Sequence, residues 1–103
     1  MQSLPPFAPK AAATVNIDVS AVSQAVALGA VLGETQIRVM NNGSATVWIN
    51  FGVSTVTATL AAGIPIGPGV TEVLTIRTGA APYVAAIAAA ASGKIYFTPG
   101  SGV

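Results

Sequence analysis

Apolar and polar residues alternate along most of the chain from Thr14 onward. Val15, Ile17 and Val19 take turns with Asn16, Asp18 and Ser20, the period-2 pattern of a half-buried strand. Val22–Leu28 continues it, setting Val22, Gln24, Val26 and Leu28 against Ser23, Ala25 and Ala27. A short helix from Ser20 competes there, because Ala, Leu and Gln favour helix. Thr35–Met40 places Thr35, Ile37 and Val39 on one face; Ala45–Phe51 places Val47, Ile49 and Phe51 opposite Thr46, Trp48 and Asn50. Asn41-Asn42-Gly43-Ser44 lies between. Asn-Gly is the strongest short hairpin signal, since both residues tolerate positive φ, so Thr35–Phe51 reads as a β-hairpin.

Further along, Val53–Leu60 is Thr-rich and reads as a short edge strand. Pro65 and Pro68 limit Ile64–Gly69 to an edge or a loop. Val70–Arg77 is a strand with Val70, Glu72, Leu74 and Ile76 on one face. Strands follow at Pro82–Ala88 and Lys94–Thr98, with Ala88–Ala91 as a loop or strand end and Pro99–Gly102 as a terminal tail. About eight short strands separated by turn signals predict an all-β protein, an antiparallel β-sandwich of jelly-roll-like type. Residues 14–103 form that domain. Residues 1–13 read as a Pro-rich extended N-terminal arm, because Pro5, Pro6 and Pro9 cannot enter a helix or sheet interior. Leu4, Pro5, Pro6, Phe7 and Pro9 are candidate protein-interface residues. Phe7 between prolines is a stiff ligand with little entropy left to lose.

Charge changes this picture most. Only 7% of residues are charged, against about 25% in ordinary soluble domains. Lys10, Asp18, Glu34, Arg38, Glu72, Arg77 and Lys94 stand singly, for a net charge of +1. Nucleic acid requires clustered Lys and Arg, and an anionic membrane surface does too, so neither is an expected partner. So little charge fits a surface covered in an assembly, with a homo-oligomer, dimer or trimer, as the expectation. Ala and Gly abound, and small side chains bury little apolar area at roughly 25 cal/mol per Å². Val19–Gly33 is shorter than the ~20 residues needed to span a bilayer. No signal-peptide pattern opens the sequence, so the expectation is synthesis in the cytoplasm.

The catalytic inventory is thin. There is no His and no Cys, so the commonest base and the thiol nucleophile are absent. Asp18, Glu34 and Glu72 are the only carboxylate side chains; Glu72 reads as a surface ion pair with Arg38 or Arg77. Ser92 and Lys94 fit a turn beside a strand. Gly63–Gly69 lacks the Lys-Ser/Thr ending of a phosphate loop. A non-enzyme with no cofactor, no metal and no small-molecule substrate is expected. Trp48 is the remaining candidate. Facing outward it is an anchor for protein or a platform for sugar; with both sheet faces covered it belongs to the core.

Three stretches carry a resemblance: TQIRVMNNGSATVWINFG, IPIGPGVTEVLTI and YVAAIAAAASGKIYFTPGSG, spanning Thr35–Gly102. Together they resemble small virion structural proteins of tailed bacteriophages, among them jelly-roll capsid decoration or cement proteins. The resemblance implies a protein on the capsid exterior that staples adjacent copies of the major capsid protein. It carries over no catalytic residue. The alternatives are a phage tail, neck or fibre-base protein, and a carbohydrate-binding β-sandwich using Trp48 with Asn41 and Asn42.

Overall fold

The computed structural model describes residues 8–9, 14–28, 33–78 and 83–101. Nine strands occur among them: β1 (Ala8–Pro9), β2 (Val15–Val19), β3 (Gln24–Ala27), β4 (Gly33–Asn41), β5 (Val47–Gly52), β6 (Ile64–Ile66), β7 (Thr71–Thr78), β8 (Tyr83–Ile87) and β9 (Gly93–Ser101). All pairings are antiparallel. In the first sheet β9 lies between β4 and a side shared in succession by β2 and β1, and β7 lies outside β4. The second sheet runs β3-β8-β5-β6. From β2 to β9 the chain changes sheet at every step except β5 to β6. That connectivity is the jelly roll, an antiparallel sandwich of two Greek keys.

The alternation predicted from the sequence decides what points inward. Ile17 and Val19 of β2, Ile37 and Val39 of β4, and Ile95 and Phe97 of β9 form one side of the core. Val47 and Ile49 of β5, Ile66 of β6, and Val84 and Ala86 of β8 form the other. Leu28 and Ala88 close the cluster, with Val15, Val26, Phe51 and Leu74 packed around it. Facing rows of β-branched residues and one large ring fill the space between sheets.

The structure corrects four expectations. Thr35–Phe51 is not a hairpin: β4 pairs with β7 and β9, while β5 pairs with β6 and β8. Asn41–Thr46 is an arch that carries the chain from one sheet to the other. Gly43 lacks the positive φ that a tight Asn-Gly turn requires. Val53–Leu60 is a loop, because its polar groups bond locally and to Ser23, just before β3, instead of to a ladder. The strand expected over Val22–Leu28 is limited to Gln24–Ala27, with Val22 70% exposed, and no helix competes there. Pro99 is no tail residue: it is fully buried in β9, opposite Ile37. It falls between the stretches of β9 that face β2 and β1, a place where a missing N–H costs the ladder least.

The arch is fixed by Asn41, a fully buried polar side chain. Its Nδ2 donates to the Ala45 and Ile66 carbonyls, each at 2.9 Å, and its Oδ1 accepts the Gly43 N–H at 2.9 Å. Ser92 is a second buried polar side chain, whose hydroxyl accepts the Ala45 N–H at 3.1 Å. A Cβ on Gly43 would collide with the Ser92 carbonyl, so only glycine lets the arch lie against the β8–β9 connection. Gly93 has φ +102° and leaves room for Gly43 in turn.

Asn41→Ala leaves the buried Ile66 carbonyl and the part-buried Ala45 carbonyl short of a donor and the part-buried Gly43 N–H without an acceptor. Each such loss costs about 1–3 kcal/mol. Urea unfolding is expected to show Asn41→Ala destabilised by about 2–4 kcal/mol, while Asn42→Ala, on the exposed neighbouring side chain, stays within about 0.5 kcal/mol of the parent.

Candidate interaction surfaces

Trp48 projects from the face of β5 opposite Val47 and Ile49, so it lies outside the core. It is half-buried, between Pro65 on β6 and Ile87 on β8 in register. The β5–β6 loop comes close beside it: a Cβ on Gly63 would stand 2.7 Å from the Trp48 Cβ. The same loop is tied down further along. Asn50 Nδ2 donates to the Thr57 carbonyl at 3.2 Å, and the Ala58 N–H donates to Ser23 Oγ at 2.9 Å. These ties carry the loop over the outer face of the second sheet. Ala85 opposes Asn50 there and is fully buried although it faces away from the core. β8 is therefore covered on both faces, which explains Ala in a central strand despite its preference for helix.

The arm residues Leu4, Pro5, Pro6 and Phe7 lie outside the described residues. Pro9 lies in β1, paired with Gly100 beside Ala8 and Ser101. An edge strand suits a proline.

The outer face of the first sheet is the polar one. Lys94 and Asp18 oppose each other on β9 and β2 and form an ion pair at 2.6 Å. The hydrogen bond that Lys94 donates to the Asp18 carboxylate raises the Lys94 pKa above its ordinary value of 10.5. Its stabilising contribution is present below that value and is lost as pH rises through the raised one. Glu72 and Arg38 do not pair. Glu72 opposes Val39 and Arg38 opposes Val73, which puts the two charges on opposite faces of the sheet. Arg38 instead borders a shallow depression of about 360 Å³ with Thr14, Met40, Asn42, Tyr96 and Thr98. Thr14 and Thr98 share a hydrogen bond at 2.9 Å on its rim. Sequence reasoning missed this cross-strand grouping, since its residues come from three distant segments.

The four sheet edges differ sharply. β6 has three residues and contains Pro65. β3 has four residues. The β2 and β1 edge is divided between two short segments, with Asp18 on one and Pro9 on the other. β7 has eight residues, Thr71–Thr78, without a Pro, and carries Glu72 and Arg77. Short strands, prolines and charges are the usual protection of an edge. Thr71, Glu72, Val73 and Thr75 are exposed along β7, with Val73 at 48%. Met40, which opposes Thr71, and Val70, which precedes it, are also exposed.

No protein family matches the chain, and no curated protein matches it. A solved structure of Bacillus endospore appendages, which form disulfide-linked pili, is similar to it. The two are 21% identical over 97% of this chain and 90% of that chain, with a TM-score of 0.47. A likeness of that degree carries no argument about function, and this chain has no Cys. The findings correct the resemblance to tailed-phage proteins. No phage protein emerges, and the structural likeness found is to an appendage subunit of another kind. The reading as a capsid decoration or cement protein is withdrawn, together with its tail, neck and fibre-base alternative. The capsid exterior as location and the major capsid protein as partner rested on the same resemblance. The carbohydrate reading is weakened: Asn41 is spent inside the chain and Trp48 is half-buried beside Pro65, Ile87 and the loop, which leaves Asn42 as its one exposed residue.

Trp48→Ala removes a half-buried ring and is expected to cost about 2 kcal/mol in denaturant unfolding. Gly63→Ala forces the loop away from Trp48 and is expected to cost about 1–3 kcal/mol. Because both changes act through the same contact, the double variant is expected to lose less than the sum of the two.

Proposed function

We propose that this chain is a non-enzymatic structural subunit that works by associating with copies of itself. The observation that carries the reading is the surface. Val22, Met40, Val53, Leu60, Ile64, Val70 and Val73 are exposed large apolar side chains, on a chain in which 7% of residues are charged. Single exposed apolar residues are ordinary, but a monomer relies on charge to stay dispersed. Here several apolar residues gather at β7 and the adjoining end of β4, and others at the β5–β6 loop. Association covers them and adds stability to a core that a chain of this length keeps modest in size.

The chemistry of the residues points the same way. The chain offers no His and no Cys, and among the described residues no group of three or more Asp or Glu gathers that could hold a metal ion. Contact between folded surfaces needs none of these. The Pro-rich segment Leu4–Pro9 supplies a second contact in this reading, with Phe7 as its apolar anchor and the prolines limiting the entropy lost on docking.

Sedimentation velocity over a range of micromolar concentrations tests the proposal. A species at two or three times the 10.1 kDa chain mass is expected, its population rising with concentration. Phe7→Ala is expected to shift the equilibrium toward the monomer. A parent chain that stays monomeric throughout removes self-association as its function.

A further inference from the structure

Resting on the reading of a self-associating subunit, we propose that two copies join edge to edge through β7, as an antiparallel pair about a two-fold axis centred on Leu74. The backbone decides which groups are available. The Asn41 N–H donates to the Val70 carbonyl at 3.0 Å, and β4 and β7 stay in register from Met40 opposite Thr71 to Gly33 opposite Thr78. Residues on an antiparallel strand turn their N–H and C=O alternately to one side and the other. Glu72 and Leu74 therefore direct theirs at β4. Thr71, Val73 and Thr75 direct theirs at the open edge, where, among the described residues, no second strand pairs with β7.

An unpaired row of this kind is a template for another strand, and a second copy presents the same row in reverse. A two-fold axis normal to the sheet keeps each face on its own side, so a residue can oppose only one of its own parity. Among such registers, the one centred on Leu74 engages the most edge groups in β7. It sets Val73 opposite Thr75 of the second copy and Thr71 opposite Arg77. Two β-branched residues in direct opposition are a favourable cross-strand pair. Glu72 falls opposite Ile76, so no like charges meet. The other edges are poorer templates, being three or four residues long in the second sheet and divided on the far side of the first. Because the pairing uses the same edge on both copies, it closes as a dimer and leaves no free β7 edge to propagate.

The chain has no Cys, so introduced thiols report without background. The double variant Val73→Cys/Thr75→Cys, oxidised and run on a non-reducing gel, is expected to give a covalent dimer as the main band. Each single variant is expected to give little, because identical residues are then offset by two positions and lie beyond the roughly 7 Å Cα reach of a disulfide. Val73→Pro removes one outward N–H from an edge strand. It is expected to weaken dimerisation by about tenfold or more in sedimentation, with the β-sheet circular dichroism of the parent retained. If the parent self-associates but the double variant does not cross-link, the β7 pairing is wrong and the association uses another surface. If the parent is monomeric, the functional reading fails and this pairing with it.

Discussion

One buried amide sets the corner on which this sandwich turns. Asn41 ends β4 in the first sheet, yet its side chain grips Ala45 in the arch and Ile66 at the end of β6 in the second. Its own backbone meanwhile bonds Val70 and Gly69 at the turn into β7. Four segments thus converge on one residue. An amide taken out of water is costly unless its bonds are restored, and here both donors and the acceptor find partners. The jelly roll raises this need wherever the chain leaves one sheet for the other, because an arch strands backbone groups that a hairpin would pair. Ser92 meets the same need from the opposite side, and the glycines at 43 and 93 let the two connections touch.

Much of the architecture was legible because a strand's faces are written in its alternation. Ile17 and Val19, Ile37 and Val39, and Val47 and Ile49 all point where period two puts them. Trp48 also falls on the predicted opposite face. What alternation does not encode is the partner. Asn42-Gly43 announces a sharp change of direction, but a hairpin and an arch share that signal, and the strand pairings, with Asn41's contact to Ile66, distinguish them. Val53–Leu60 was misread for a related reason. Thr and Val suit a strand, while the fate of the segment was settled by Asn50 and Ser23, which hold it as a lid. Pro99 looked terminal because proline breaks ladders, yet β9 has a stretch with no opposing strand in β1 or β2 to accept it.

The interaction surfaces were less legible still. Arg38, Tyr96 and Thr14 are far apart in the chain and meet only through the register of β9 between β2 and β4. Whether a strand lies at an edge or inside a sheet cannot be seen in its residues: TEVLTIRT on β7 and GKIYFTPGS on β9 are similarly patterned, and one is open where the other is enclosed. Composition is the basis of the proposed association: sparse charge suits a surface that is covered, and the exposed apolar residues beside β7 mark where we propose that covering. The sequence likeness to phage proteins rested on turns and strand ends that any sandwich of this size reuses.

The placement of β9 also sets the order of events in folding. It follows all its partners in the sequence, yet it holds β2 and β4 together, and its pairing with β2 joins Asp18 to Lys94 across 76 positions. The first sheet therefore cannot close until β9 has left the ribosome. Contacts so distant in sequence place the chain among slow, non-local folders. While β9 is still awaited, β4 and β2 present bare hydrogen-bonding rows to their surroundings. The interval of greatest aggregation hazard is thus built into the topology, and it ends when β9 slides between two strands that were made long before it.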